Sequence, residues 1–233
     1  MTLLWSALVT IGVPLTFVAV RRATALVGSP PYLSPVLIAA LLVGAACCRA
    51  PLDIAAFERL AAPLRWALGP AIVALGAVVH ASRLQLRAQI GALLIAVVGG
   101  TLVGIASAVG IAWAFGLEPM LRDALVTKTV TTPFAILIQT RAGGPVGLAA
   151  ALAVFTGVVG AVTVPPLLRA LRIQGSAATG LAIGVSSHIV GTDAIQRRDP
   201  RAAAFAGGAT VLAGVTAAVV VPLIWQWLQR HGG

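Results

Sequence analysis

The sequence predicts an all-α, polytopic membrane protein with about seven or eight transmembrane helices. Of its 233 residues, 59% are hydrophobic and 9% are charged, whereas soluble domains carry roughly 25% charged residues. The mean hydropathy is +1.02. Long uncharged stretches fill most of the chain, so we expect one transmembrane domain over residues 1–233 and no separate soluble domain.

The apolar stretches place the expected helices in order along the chain. They cover residues 3–20, 33–48, 66–81, 89–117, 146–168, 177–196 and 203–228. The first has no basic leader before it and is interpreted as a retained helix, not a signal peptide. Residues 49–65 mix charged residues with prolines, which predicts an amphipathic linker at the membrane interface.

Charge and composition exclude several classes of function. The net charge is +10, but the 16 lysines and arginines stand singly or in short groups between apolar stretches. This spacing indicates polar loops that contact anionic lipid headgroups, not a nucleic-acid surface. The adjacent Cys47 and Cys48 offer neither a disulfide framework nor a CxxC motif. With six acidic residues and no motif such as HExxH or GxSxG, we expect no enzyme, cofactor or metal site.

An internal repeat becomes visible when the chain is shifted by 57 residues, which aligns residues 155–168 with residues 212–225. Gly157 then matches Gly214. Chance matches also occur in apolar sequence, so duplication and coincidence are both open.

Each copy of this repeat follows a short, polar, interrupted segment, near residues 123–141 in the first and 177–196 in the second. Paired interrupted segments in corresponding halves of a chain predict a transporter binding site. The repeats are parallel if each segment crosses the membrane and inverted if each is re-entrant.

The first interrupted segment contains the chain's sole lysine, Lys128. A lysine deep in the membrane costs at least about 2.5 kcal/mol, so it usually faces a cavity or an anionic partner. The alternative is an interfacial lysine that extends from a helix end. Thr129, Thr131 and Thr132 offer hydroxyls within one turn. Pro133 removes a backbone donor and frees an acceptor, which is tolerated at depth only inside protein or facing water.

The second interrupted segment contains Ser187, His188, Gly191 and Thr192. A lone histidine is often a packing residue, but here hydroxyls and glycine accompany it. Gly191 predicts a break in the helix. His188 and Asp193 are five residues apart and share a face only if Gly191 breaks the helix.

Asp193 has two interpretations. As the acid closest to an apolar stretch, it would pair with Lys128, Arg197 or Arg198 if the segments meet. It would otherwise be a loop residue that caps a helix.

Two motifs carry a family resemblance: TKTVTTPFA from Thr127 to Ala135, and GVSSHIVGT from Gly184 to Thr192. They closely resemble the PKSVTTPIA-type and GTASHxxGTA-type motifs of the LrgB/CidB family of bacterial membrane proteins. The likeness extends upstream through YLSPVLIAALLV from Tyr32, so it covers nearly the whole chain.

The resemblance implies a multi-pass protein of the inner (plasma) membrane, usually partnered by a smaller LrgA/CidA-type membrane protein. The family was first described as antiholin-like, modulating murein hydrolase export and cell lysis. Relatives include a plastid glycolate/glycerate transporter and bacterial pyruvate carriers, and the family is grouped with inverted-repeat, broken-helix transporters. Thr127 replaces the usual proline and Asp193 replaces an alanine, so the substrate and the coupling ion stay open.

We therefore expect a carrier for a small organic monocarboxylate such as glycolate, glycerate or pyruvate, coupled to protons or sodium. The expected substrate-binding residues are Lys128, Thr129, Thr131, Thr132, Pro133, Ser187, His188, Gly191, Thr192 and Asp193. The alternative is an antiholin-like regulator that acts with an LrgA/CidA-type partner. Homo-oligomerisation is open in both cases.

Overall fold

The computed structural model describes residues 2–28, 33–49, 54–196 and 198–231. Helices make up almost all of this described part, which contains no strand, so the all-α prediction is confirmed there. They are α1 (Thr2–Leu26), α2 (Pro35–Arg49), α3 (Ile54–Leu60), α4 (Ala62–Trp66), α5 (Leu68–Ala81), α6 (Arg83–Ala88), α7 (Ile90–Ala114), α8 (Pro119–Val126), α9 (Thr132–Ala142), α10 (Val146–Ala170), α11 (Ser176–Gln196) and α12 (Pro200–His231).

Several of the described helices have the length and apolar composition that a bilayer requires. Four are long and apolar enough to cross it: Ser6–Leu26, Ile90–Ala114, Val146–Ala170 and Pro200–Trp225. Two apolar helices are shorter, Pro35–Arg49 and Ile72–Ala81. These helices support the assignment of the chain as a membrane protein. The expected number of seven or eight transmembrane helices and the re-entrant segments stay predictions.

By their contacts, the residues form two compact units, Met1–Val73 and Ala74–Gly233. In the first unit, α1 packs against α2 and α3, and Ser6 Oγ donates a hydrogen bond to Leu60 O at 3.2 Å. An apolar cavity of about 700 Å³ lies among these helices. The single-domain expectation stays a prediction.

The predicted amphipathic linker falls partly on residues 50–53, which lie outside the described residues. Of the remainder, Arg49 ends α2, and most of residues 54–65 form the short helices α3 and α4.

In the second unit, α12 packs against α6, α7, α9 and α11. Most of its inner face is made of alanines that are at most 2% exposed: Ala202, Ala203, Ala206, Ala209, Ala213 and Ala217. α11 meets this face through Gly180 and Gly184, where a Cβ atom would contact the carbonyl oxygens of Ala202 and Ala206. Thr210 Oγ1 also donates to Gly184 O at 3.2 Å. The small side chains thus let the two backbones approach closely, as membrane helices require.

Two further helices enclose α11. α10 packs against it through Gly157 and Gly160. α7 contributes a buried face with mostly four-residue spacing, Leu93, Val97, Thr101, Ile105, Ala108 and Ala112. α11 is therefore packed by α7, α10 and α12.

Asp199 fixes the start of α12. The Ala202 N–H donates to Asp199 Oδ1 at 2.9 Å, the geometry of a helix N-cap. This hydrogen bond holds the pKa of Asp199 below its ordinary value, because it stabilises the carboxylate form.

We predict that Gly184→Val destabilises the protein by about 1–3 kcal/mol, since the added side chain overpacks the α11–α12 contact. Gly110→Val is the matched control, because Gly110 lies on exposed α7 surface with no atom within 4 Å of a Cβ position. Thermal unfolding of the detergent-purified variants measures both. Equal midpoints for the two variants would contradict the packing described.

Candidate functional site

The first predicted interruption separates α8 from α9. α8 ends at Val126 and α9 begins at Thr132, with Thr131 in an extended conformation (φ −64°, ψ 148°). Pro133 lies in the first turn of α9, where the missing N–H removes no intrahelical hydrogen bond. Proline therefore starts a helix here, and residues 127–131 form a non-helical connection.

The second interruption lies at His188. Its backbone is non-helical within α11, with φ 51° and ψ −138°, a region that residues other than glycine rarely adopt. Such a conformation costs of order 1–3 kcal/mol and persists only where the surroundings enforce it. The sequence placed the break at Gly191, but Gly191 lies within the helix, and its missing Cβ makes room for the side chains of Ser187 and Ile183.

The two interruptions meet. His188 is 3% exposed, and its Nε2 lies 3.4 Å from the Lys128 carbonyl oxygen. With the proton on Nε2, the imidazole donates to this carbonyl, which the α8–α9 connection leaves without a helical partner. His188 Nδ1 is buried and has no hydrogen-bond partner among the described residues. We call this meeting of residues 127–131 with His188 the crossing.

Ser187 lies at the crossing but faces α10. It is fully buried, and a Cβ atom at Gly160 would lie 2.5 Å from its Oγ. The Ser187 hydroxyl is 3.0 Å from the Ser186 hydroxyl. The Ser186 hydroxyl donates a hydrogen bond to Ala182 O at 2.6 Å. The hydroxyl of Ser187 therefore contributes to packing between α10 and α11.

The threonines at the crossing differ in their contacts. Thr129 and Thr131 are both buried. The Thr129 methyl group would lie 2.7 Å from a Cβ atom at Gly104 of α7, and its hydroxyl has no hydrogen-bond partner in the described part of the chain. Thr132 and Pro133 are half-buried in the first turn of α9. The side chain of Thr129 is therefore held by α7 while its hydroxyl is available.

Lys128 is half-buried in the α8–α9 connection. Among the described side chains it forms no ion pair. Its ammonium is thus a positive charge without a carboxylate partner in that part of the chain.

Two predicted residues lie beyond the crossing. The Thr192 hydroxyl donates to His188 O at 2.8 Å, so it satisfies the carbonyl at the break. Asp193 is exposed and makes no ion pair with Lys128 or Arg198 within the described ranges, and Arg197 lies outside them. The structure therefore gives Asp193 no charge partner among the described residues, and it places Asp193 within α11 instead of at a helix N-cap.

Sequence reasoning missed Gln139, which lies in α9 with no exposed surface. Its Nε2 donates to Asp123 O at 2.6 Å and to Thr127 Oγ1 at 3.2 Å. Thr127 Oγ1 in turn donates to Ala124 O at 3.2 Å. Gln139 thus ties α9 to the end of α8 and fixes the connection between them. A lone glutamine after the apolar FAILI was the available signal.

The two copies of the predicted repeat pack against each other through the pair of glycines that the repeat aligns. A Cβ atom at Gly157 of α10 would lie 3.2 Å from Ser187 O in α11. One at Gly214 of α12 would lie 2.5 Å from Phe134 of α9. Each long helix therefore packs, at the aligned glycine, against the broken segment of the other copy. Whether a duplication produced the repeat stays a prediction.

The crossing offers hydroxyls, a carbonyl, an imidazole and an ammonium. No group of three His, Cys, Asp or Glu side chains suited to a metal ion occurs among the described residues. The hydroxyls and the ammonium are the donors of this set, and together with the one positive charge they are suited to hydrogen-bonding a small anion.

Apolar spanning helices and two broken segments that meet in the protein interior define a polytopic integral membrane protein. The sequence model of the LrgB-like family matches residues 10–227, so the chain belongs to that family. The predicted family is thereby confirmed.

Three relatives illustrate the family's range. The uncharacterized protein YxaC of Bacillus subtilis is 28% identical over 85% of this chain and 86% of its own length. The holin-like protein CidB of Staphylococcus aureus is 23% identical over 83% of this chain and 85% of its own. The plastidal glycolate/glycerate translocator 1 of Arabidopsis thaliana is 33% identical over 48% of this chain but only 23% of its own. No solved structure matches the chain.

We predict that Gln139→Leu destabilises the protein by about 1–3 kcal/mol, because it leaves the Asp123 carbonyl and the Thr127 hydroxyl without their buried donor. Gln85→Leu, on an exposed position of α6, is the control and should leave the melting temperature unchanged. The measurement is thermal unfolding of both purified variants. A Gln139→Leu protein as stable as the control would show that this contact does not fix the connection.

Proposed function

We propose that the protein is a secondary carrier for a small organic monocarboxylate such as glycolate, glycerate or pyruvate. The observation that carries the proposal is the half-buried Lys128 ammonium, which has no ion-pair partner among the described residues. It extends from the residue whose carbonyl contacts His188. An unpaired cation at a broken helix inside a membrane protein is a site for an anion.

Each group at the crossing receives a role. Lys128 supplies the charge for the carboxylate, and the first turn of α9 directs N–H groups toward it. The hydroxyls of Thr129, Thr131 and Thr132 donate hydrogen bonds. Pro133 starts the helix whose N-terminus faces the anion.

His188 completes the site from α11 and is the group that titrates during proton coupling. Ser187, Gly191 and Thr192 hold its unusual backbone conformation through the contacts described above. Asp193 lies exposed on α11, and its proposed role is to attract the coupling cation.

The proposed topology has eight segments that span the inner membrane. They are α1, α2, α5, α7, the α8–α9 pair, α10, α11 and α12. The short helices α2 and α5 are accommodated by local thinning of the bilayer. In this arrangement the crossing lies near the middle of the membrane, where such carriers bind their substrates.

A second candidate function is supported by the CidB relative, which is described as holin-like and matches 83% of this chain. The protein would then be an antiholin-like regulator of murein hydrolase export that needs an LrgA/CidA-type partner. Saturable uptake by the purified protein alone supports the carrier. Dye leakage only when the partner is co-reconstituted supports the regulator.

We predict that Lys128→Ala lowers kcat/KM for carboxylate uptake by about 10- to 100-fold, since a charge-assisted hydrogen bond is lost. Lys128→Arg keeps the charge and should retain part of the uptake. The measurement is uptake of labelled glycolate, glycerate and pyruvate into proteoliposomes.

Arg169→Ala is the control for Lys128→Ala, because Arg169 is a basic, exposed residue at the end of α10. It should transport like the unmodified protein. Wild-type uptake in Lys128→Ala would remove the carboxylate site from this position.

We predict that His188→Asn abolishes the stimulation of uptake by a pH gradient but preserves substrate exchange. Asparagine, like histidine, is enriched among the residues that adopt a positive φ, and its side chain is polar but does not titrate. Uptake with and without the gradient, beside counterflow exchange, separates the two properties. Gradient-stimulated uptake in this variant would exclude His188 as the proton-coupling group.

A further inference from the structure

Thr101 is the sole polar side chain on the buried face of α7. It has no exposed surface. Its neighbours on that face, Val97 and Ile105, are apolar. The hydroxyl of Thr101 is therefore enclosed by protein at the helix face that packs inward.

The hydroxyl of Thr101 has no hydrogen-bond partner among the described residues. Other hydroxyls on helices of this chain donate to the carbonyl four residues before them, as Thr16 does to Gly12, Thr163 to Val159 and Thr216 to Leu212. Threonine usually satisfies itself in this way when it lies within a helix. A buried hydroxyl that makes neither this bond nor another is one of the groups that call for an explanation.

α7 reaches both broken segments beside Thr101. A Cβ atom at Gly100 would lie 3.2 Å from the side chain of Val185 in α11, and one at Gly104 would lie 2.7 Å from Thr129. Thr101 follows the first glycine directly and precedes the second by three residues, which is about one turn. It thus faces the bundle interior at the level of the crossing.

Two unpartnered, buried hydroxyls therefore lie on facing elements, Thr101 on α7 and Thr129 in the α8–α9 connection. A hydroxyl both donates and accepts. Together they match a neutral oxygen substituent, either a hydroxyl or a carbonyl, on a bound molecule.

We propose that Thr101 is a third element of the binding site and selects carboxylates that carry an oxygen on the carbon beside the carboxylate. This rests on the proposed carrier function. Lys128 and the start of α9 bind the carboxylate, and Thr101 hydrogen-bonds the adjacent oxygen. A substrate that lacks this oxygen leaves the buried hydroxyl unpaired, which is how polar sites reject apolar analogues.

Thr101→Val tests the assignment, because valine has the same shape and lacks the hydroxyl. Competition between glycolate and acetate for uptake should show about tenfold lower selectivity for glycolate in this variant. Thr101→Ser should retain the selectivity of the unmodified protein. Thr163→Val, on an exposed position of α10, should also leave it unchanged.

Stability without substrate separates ligand binding from a structural role. Thr101→Val should melt no lower than the unmodified protein, since its hydroxyl has no partner to lose. It should lose the rise in melting temperature that glycolate produces. Thr210→Val is the comparison, because Thr210 is equally buried but donates to Gly184 O. It should melt lower.

The results distinguish this inference from the proposed function. If Lys128→Ala loses uptake while Thr101→Val keeps full glycolate selectivity, only the assignment of Thr101 is overturned. If Thr101→Val melts as low as Thr210→Val, its hydroxyl is structural and the assignment is also overturned. If the unmodified protein neither transports glycolate nor is stabilised by it, the proposed function and this inference both fail.

Discussion

The structure depends on the requirement that backbone groups inside a bilayer find hydrogen-bond partners within the protein. Most of the described chain meets it with uninterrupted helix. Two of the places where the helical hydrogen-bond pattern is interrupted contact each other, residues 127–131 and His188. The imidazole of His188 lies within hydrogen-bond distance of the Lys128 carbonyl oxygen. The Thr192 hydroxyl donates a hydrogen bond to the carbonyl oxygen of His188. Each interruption is therefore tolerated because other groups of the chain satisfy the backbone it exposes.

Small residues make this arrangement sterically feasible. The buried alanine face of α12 and the glycines of α10 and α11 let three helices approach closely enough to hold His188 at a positive φ. Larger side chains at Gly160 or Gly184 would push the helices apart, and the energetic reason for the unusual backbone would disappear. Close helix packing is thus required for the crossing, because the packing enforces the backbone conformation of His188.

Local sequence located the two broken segments that form the candidate site. Proline after consecutive threonines located the start of α9, and the Ser-Ser-His run located the second segment, since proline and short polar side chains act within a few residues. The position of the second break was not predictable. Contacts between distant helices hold His188, while Gly191 remains helical to fit Ser187. For the same reason, the sequence does not predict the roles of Gln139 and Thr101, which depend on neighbours in other parts of the chain.

The contacts exchanged between the repeat copies constrain movement. α10 packs against the broken α11, and α12 packs against the broken segment that contains α9, through Gly157 and Gly214. α11 and α12 are themselves joined along their alanine and glycine faces. A tilt of one broken helix must therefore displace the partner of the other. In the proposed carrier the halves would therefore rock only in concert, and a passage that widens toward one side of the bilayer would narrow toward the opposite side.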